Sequence, residues 1–350
     1  MKRFSVLGLL SLLVCNTACE TITPEVEPCP EGLPATLSLQ VATTNTKTTV
    51  SQTQEEDNTL VTLDVFVFQN TGTDAADNHV LDAHHRFQGD DLENLTLNCT
   101  TGPKIICVVA NAHMDNFIGI TNLSSFQEQT SLLKNEELAS FTMYGETSTT
   151  LSVTNSITIT IRRLAAKITA KSIKTKFAGT PYEGMELSNV KLYLINAHAE
   201  KITYNNQAPA TPLIYNEGVC VASDVSACAE SGLLMDAITT TIDDSGYSTS
   251  HHFFCYENLT ENLTSCTKLT LQADLNGITY YYPVPVNQID YGYNAANGHH
   301  GIRRNTAYSI GITVTGQGST DPNEPIVPGS IELTLEAEDW TTIPHFDKEF

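Results

Sequence analysis

The sequence has few basic residues and none of the common catalytic signatures. Its 350 residues include 18 lysines and arginines against 40 aspartates and glutamates, which gives a net charge of −22. A surface of that sign repels phosphate groups, so we expect no nucleic-acid partner. The HExxH, GxSxG and GxxxxGK[ST] patterns are all missing. We therefore do not expect an enzyme, although a glycoside hydrolase built on two of the many carboxylates stays an alternative.

The spacing of metal ligands that marks a zinc site is also missing. No CxxC pair occurs, and adjacent histidines occur in three pairs. Neighbouring residues on a strand point to opposite faces, so each pair supplies at most one ligand to a face. We expect no metal and no other cofactor. The pairs are His84-His85, His251-His252 and His299-His300.

A long apolar run occurs only at the beginning of the chain, at residues 4–14, after three residues that include Lys2 and Arg3. The run is too short to span a membrane and is typical of a signal peptide, predicted here as residues 1–18. Ala18 before Cys19 resembles a lipobox, although Asn16 replaces the usual leucine. We expect Cys19 to be acylated, for example with palmitate, with ordinary signal cleavage as the alternative, and residues 19–34 to form a tether.

Cysteines are the next informative feature, because an exported chain can form disulfides. Without Cys15 and Cys19, seven remain: Cys29, Cys99, Cys107, Cys220, Cys228, Cys255 and Cys266. Three close pairs bracket apparent loops, and the odd number leaves at least one thiol without an intramolecular partner. Cys255 and Cys266, 11 residues apart, are our candidate disulfide.

Short alternating apolar segments dominate the rest of the sequence and favour β-strands over helices. About a dozen such segments occur, the turn Asn276-Gly277 indicates a hairpin, and residues 124–139 form one candidate helix. We therefore predict an all-β fold with few short helices. It consists of two tandem β-sandwich domains of transthyretin-like or Greek-key type, residues 35–175 and 176–350.

Several segments, taken in order, resemble the fimbrillin family, the major fimbrial subunits of type V pili. The segment IRRLAAKI at 161–168 resembles the end of that family's N-terminal domain, and FFCYEN at 253–258 resembles its YVYEN strand. Arg304-Asn305 with Tyr308 resembles the entry to its penultimate strand, and Asp339-Trp340 its terminal strand. Each motif alone is weak, whereas the ordered set extends over most of residues 35–345.

The resemblance implies a mechanism of assembly. Family members travel to the outer membrane as lipoproteins, and a trypsin-like protease then removes the anchor with the first strand. The open groove accepts a donor strand from a neighbouring subunit, and repetition makes a filament on the cell surface. An open sheet edge is a template for such strand addition. The implied partners are other copies of this chain, accessory fimbrial subunits and, in the precursor, the outer membrane.

In this sequence the removable strand would be residues 36–41, with Leu37, Leu39 and Val41 facing inward. No arginine occurs between Arg3 and Arg86, so the expected cleavage site is Lys47. The C-terminal arm would donate the replacement strand. Its candidate contact residues are Ile331, Leu333, Leu335, Trp340 and Ile343.

Three other functions remain open at this point. An anchor subunit of the same pilus would keep its lipid and its first strand, and a tip subunit would end the filament. A surface lipoprotein that binds glycan or host protein would need an exposed aromatic platform. Tyr280-Tyr281-Tyr282 is the candidate for that platform, with Tyr280 and Tyr282 on one face.

Overall fold

Strands account for most of the regular structure of the chain. The computed structural model describes residues 31–43, 59–112, 117–202, 214–216, 219–220, 234–293, 295, 298–322, 324 and 330–339. In these ranges it contains twenty strands, one α-helix of five residues and short 3₁₀ turns. The all-β fold class is therefore confirmed.

The first half of the chain contributes eight strands. They are β1 Pro34–Thr43, β2 Thr62–Gln69, β3 Leu81–Gln88, β4 Thr96–Thr100, β5 Gly102–Ala110, β6 Thr130–Leu132, β7 Met143–Leu151 and β8 Thr154–Arg163. Seven of them form one sheet in the order β3-β2-β5-β7-β8-β1-β4. Only β6 lies elsewhere.

This sheet folds over on itself where β7 meets β8. The two strands pair only at Met143 with Arg163 and at Tyr144 with Arg162. The next residue of β7 is Gly145, where an added Cβ would collide with the carbonyl oxygen of Thr160. The strands then diverge, and β8, β1 and β4 cover the opposite layer. One apolar cluster contains inward-facing residues of both layers.

The second half contributes twelve strands. They are β9 Ala165–Thr175, β10 Leu187–Ile195, β11 Ala197–His198, β12 Glu200–Ile202, β13 Ile214–Asn216, β14 Val219–Cys220, β15 Met235–Ile238, β16 His251–Tyr256, β17 Lys268–Leu275, β18 Ile278–Pro285, β19 Thr306–Val314 and β20 Ile331–Asp339. A four-stranded sheet, β15-β10-β17-β18, and a seven-stranded sheet, β14-β13-β11-β16-β9-β19-β20, share one apolar core.

The hairpin predicted from Asn276-Gly277 joins β17 to β18. Leu275 pairs with Ile278, and the two turn residues have φ angles of 53° and 78°. Positive φ at both central positions is what a two-residue turn needs to match the twist of its strands. The local sequence signal was therefore sufficient for this element.

The division between the two halves lies earlier than the sequence indicated. The prediction assigned residues up to 175 to the first domain, but β9 pairs with β16 and β19, which belong to the second half. By strand pairing the chain changes sheets at Leu164, between β8 and β9. Because β9 alternates in the same way as β8, its pattern did not reveal which sheet it joins.

The predicted helix at 124–139 is mostly wrong. The helix α1 extends only over Leu123–Gln127, capped at its beginning by Asn122, and the chain then forms β6. This strand pairs with β12, so Thr130 lies opposite Ile202. Strand pairing with a distant segment therefore overrides the helical spacing of the apolar residues.

Candidate functional site: the slot of the first strand

The first strand lies inside the sheet and not at its edge. β1 is parallel to β8 from Thr36 opposite Thr154 to Thr43 opposite Ile161. On its other side it is antiparallel to β4, with Leu37 opposite Leu97. We call the space that β1 fills between β4 and β8 the first-strand slot. A strand with two neighbours has its backbone groups paired on both sides.

The inward side chains of β1 are buried in the cluster that joins the two layers. Leu37 is fully buried, and Leu39 is 6% exposed. Val41 is half-buried and packs on the same cluster. Fully burying an aliphatic side chain contributes about 1.5–3 kcal/mol. These residues therefore give the slot a row of apolar pockets.

The outward side of β1 is polar and without charge. The hydroxyl groups of Ser38 and Thr96 lie 3.4 Å apart, and Thr158 donates to the side-chain oxygen of Gln40 at 3.4 Å. Residues 34–43 contain no ionisable side chain. The slot therefore holds its strand through backbone hydrogen bonds and apolar contact, without ion pairs.

The order of the strands makes β1 separable from the rest of the chain. Residues 44–58 connect it to the next described segment, which leads into β2. β2 lies between β3 and β5, away from the slot. A single cut between residues 44 and 58 would therefore break the covalent connection between β1 and β2 without interrupting any other strand of the sheet.

Three of the predicted donor residues lie in β20, at the far end of the other seven-stranded sheet. Among the described residues β20 pairs with β19 alone, and it ends the strand order of that sheet. Ile331, Leu333 and Leu335 are half-buried and pack against the second core. The structure does not bring them together with the slot residues, which belong to the first cluster.

The predicted disulfide between Cys255 and Cys266 is wrong, because both are free and buried thiols. Cys255 lies in β16 and faces the second core, and the thiol of Cys266 donates to the carbonyl oxygen of Leu263. The amide of Asn258 closes this loop instead, donating to the carbonyl oxygen of Ser265 at 3.0 Å. Burial raises the pKa of both thiols.

A second cysteine pair shows why proximity in sequence did not produce a bridge. Cys99 in β4 belongs to the cluster beneath β1, whereas Cys107 in β5 belongs to the cluster on the opposite face of the sheet. Both are free. The two cysteines are only eight residues apart, but the layer that contains β5 separates their side chains.

The structure does not support the aromatic platform that a glycan binder would need at residues 280–282. Tyr280 and Tyr282, which were expected to share one face, are 7% and 0% exposed and belong to the second core. Their shared face is therefore the inner one. Within the described ranges, no group of three or more histidine, cysteine or acidic residues is arranged to hold a metal ion.

Four predicted site residues lie outside the described residues: Cys19, Lys47, Trp340 and Ile343. Sequence reasoning also missed a buried ion pair between Asp82 and Lys104 near the slot. A lysine within the apolar strand from 102 to 110 was the only available signal. No helix in the described part of the chain has the length and hydrophobicity that crossing a membrane requires.

Comparison with known families bears directly on this site. The profile of the family described as major fimbrial subunit protein (FimA) matches residues 35–205. These residues are similar to that family. The match begins with β1 and includes both layers that form the slot, so the predicted fimbrillin resemblance is confirmed. The comparison with curated proteins found no match.

Solved structures extend the likeness to the fold of both halves. A cell adhesion protein from Parabacteroides distasonis has a TM-score of 0.66 at 19% identity, covering 89% of this chain and 98% of its own. One from Bacteroides eggerthii gives 0.61 at 18% identity, with coverages of 90% and 98%. A fimbrilin from Porphyromonas gingivalis gives 0.59 at 16% identity, covering 88% and 98%. At these identities the structures show a shared fold.

The family assignment determines the broad class of function. Over residues 35–205 the chain is similar to major fimbrial subunits, whereas its likeness to the solved cell adhesion and fimbrilin structures is a likeness of fold. The expectation of a fimbrial protein is therefore supported at the level of family similarity.

Proposed function

We propose that this protein is a structural fimbrial subunit that polymerises by exchanging its first strand for one from a second copy. The observation that carries the proposal is the position of β1. It is the first strand of the described residues, it lies between two neighbours, and one cut between residues 44 and 58 detaches it. Removal would expose backbone groups on β4 and β8 together with the pockets of Leu37 and Leu39.

The C-terminal strand is the candidate donor because its sequence repeats that of β1. Residues 332–337, ELTLEA, align with residues 36–41, TLSLQV, so Leu333 and Leu335 correspond to Leu37 and Leu39. The charged residues Glu332 and Glu336 then correspond to Thr36 and Gln40, which face outward. An incoming β20 would therefore place leucines at the two inward positions that Leu37 and Leu39 occupy and polar residues at the outward ones.

The difference in surroundings between the two strands gives exchange a driving force. β20 has one neighbour and half-buried apolar residues, whereas a strand in the slot has two neighbours and fully buried leucines. Moving from the edge of one sheet to the inside of another replaces the single row of backbone hydrogen bonds to β19 by two rows and buries the leucines more fully, while it uncovers one side of β19. The net gain at each subunit junction is one row of backbone hydrogen bonds.

Export and activation complete the proposal. We infer lipidation at Cys19, transport to the outer membrane as a lipoprotein precursor, and cleavage after Lys47. Trp340 and Ile343 would extend the donor beyond β20. Accessory fimbrial subunits would be the other partners.

The test combines N-terminal sequencing of surface-sheared material with electron microscopy of cells that carry the wild type or Lys47→Ala. We expect wild-type filaments to begin near Thr48 and the variant to remain monomeric. Normal filaments from Lys47→Ala would exclude Lys47 as the cleavage site. Filaments that retain residues 34–43 would exclude strand removal, and an unpolymerised, uncut wild type would indicate an anchor subunit.

A further inference from the structure

β4 depends on the first strand for its place in the sheet. It ends the strand order, and in the described part of the chain its only strand partner is β1. Yet it forms one wall of the slot, with Leu97 and Cys99 buried in the shared cluster. When β1 leaves, β4 loses its whole ladder of backbone hydrogen bonds. A wall strand without such bonds would be free to collapse onto the exposed apolar pockets.

A set of side-chain contacts holds the end of β4 without any group from β1. Asp82 in β3 accepts from the backbone nitrogen and the hydroxyl group of Thr100, each at 2.9 Å. Lys104 in β5 lies 2.9 Å from the same carboxylate and donates to the Thr100 hydroxyl at 2.8 Å. We call Asp82, Thr100 and Lys104 the Asp82 clamp. It ties together three strands that remain when β1 is removed.

The clamp is a buried, charged arrangement. The side chains of Lys104 and Asp82 are 3% and 7% exposed. Burial by itself raises the pKa of Asp82, but the hydrogen bonds from Thr100 and Lys104 outweigh it and lower the pKa below its usual value. The carboxylate is therefore ionised at neutral pH. Hydrogen bonds to ionised groups are shorter and stronger than those between neutral groups.

Backbone hydrogen bonds to the residues before β1 also restrain the same end of β4, and they are lost when β1 leaves. Thr101 donates to the carbonyl oxygen of Leu33 at 2.8 Å, and Gly32 donates to that of Thr101 at 3.1 Å. Both partners precede β1 and would leave with it. In the uncut chain the Asp82 clamp is thus one of several restraints on β4, whereas after cleavage it still fixes Thr100 to β3 and β5 by hydrogen bonds.

We propose that Asp82, Thr100 and Lys104 are positioning residues that keep β4 in place after β1 departs, so that the slot stays open for a strand of a second copy. This inference rests on the proposed function. In the precursor β1 itself holds β4, so the buried ion pair is not needed there. After β1 has left and before a donor strand has entered, the ion pair would keep the slot at its width.

The test uses the full chain with a specific protease site inserted between residues 44 and 58, so that β1 can be removed on demand. The variant Thr100→Val keeps the side-chain volume and the Asp82–Lys104 pair but loses the hydroxyl link to β4. Thr96→Val is the matched control, because Thr96 is at the other end of β4 and its hydroxyl bonds Asn94 and Ser38, not the clamp. The probe is a labelled synthetic peptide of residues 331–339.

Two measurements separate positioning from a general structural effect. Before cleavage, hydrogen exchange at residues 97–100 should be slow in all three proteins. After cleavage and removal of β1, wild type and Thr96→Val should stay protected, whereas Thr100→Val should exchange faster and bind the peptide about tenfold more slowly. A factor of ten corresponds to about 1.4 kcal/mol, close to the lower end of the range of about 1.5–3 kcal/mol for one hydrogen bond to a charged group.

The outcomes distinguish the clamp from strand exchange itself. Unchanged protection and peptide binding in cleaved Thr100→Val, or loss of protection in cleaved wild type, would overturn the positioning role. If no cleaved protein bound the peptide while the difference in protection persisted, the clamp would stand and the proposed donor would fail.

Discussion

The hydroxyl of Tyr256 donates a hydrogen bond of 2.7 Å to the carboxylate of Glu136, 120 residues earlier in the chain. Tyr256 lies in β16 of the second half, and Glu136 follows β6 of the first. The other carboxylate oxygen accepts from the backbone nitrogen of Thr142 at 2.7 Å. Close by, the rings of Phe141 and Phe254 lie 4.8 Å apart. The two halves therefore meet through a buried polar contact set among aromatic side chains.

This contact should make stability depend on pH. Burial raises the pKa of Glu136 to about 7, because the hydrogen bonds from Thr142 and Tyr256 offset only part of the cost of desolvation. The unfolded chain has the lower value, so the folded protein binds the proton more tightly. The stabilisation is complete below pH 4.5 and is lost as pH rises through 7.

We therefore expect Glu136→Gln, which mimics the protonated acid, to flatten the pH dependence of urea unfolding. Between pH 5 and pH 8 the wild type should lose on the order of 3 kcal/mol more than the variant. Glu137→Gln, an exposed neighbour, is the control and should behave as wild type. Equal pH profiles for wild type and Glu136→Gln would contradict the assignment.

The buried leucines of β1 should carry much of the stability of the uncut chain. Leu37 is fully buried in the first cluster, so Leu37→Ala should lower the free energy of unfolding by about 2–5 kcal/mol. Ser38→Ala, the outward neighbour, should change it by less than about 1 kcal/mol. Urea titration of both variants measures the difference. If both variants lowered the free energy of unfolding by less than about 1 kcal/mol, burial of Leu37 would not contribute the expected stability.

Cys99 should report the opening of the slot. Its side chain is 8% exposed, it lies opposite Ala35 of β1, and burial raises the pKa of its thiol. Removal of β1 should uncover it, so alkylation by iodoacetamide at pH 8 should become much faster after cleavage. Peptide mapping by mass spectrometry follows Cys99 separately from the other cysteines.

Cys107 is the internal control for this measurement, because it faces the other cluster and is fully buried. It should stay unreactive before and after cleavage. Labelling of both thiols would indicate unfolding of the domain, and labelling of neither would show that β1 remains bound after the cut.

Attachment of the protein to the membrane tests whether Cys19 is acylated. Replacing Cys19 by alanine should abolish incorporation of labelled palmitate and release the protein from the membrane fraction or stall its precursor. Cys29→Ala, ten residues further along the chain, is the matched control and should be labelled as wild type. Incorporation into Cys19→Ala at the wild-type level would exclude Cys19 as the acylated residue.

Local pattern determined many of the strands of this sequence, although not β6, which lies in a segment with helical spacing. The alternation at residues 36–41 predicted β1 with its correct inward side chains, and Asn276-Gly277 predicted its hairpin, because side-chain direction and turn geometry depend on adjacent residues. The ordered motifs were also enough to indicate the fimbrial family. Each of these features can be recognised without knowing which strands become neighbours.

Tertiary structure alone decided which strands pair and what they enclose. The placement of β1 between β4 and β8, the transfer of β9 to the second half and the separation of Cys99 from Cys107 all depend on contacts far apart in sequence. The Asp82 clamp joins three strands in the same way. Alternation fixes which side chains share a face, but backbone hydrogen bonding is the same for every sequence. The choice of partner therefore depends on the packing of the whole core.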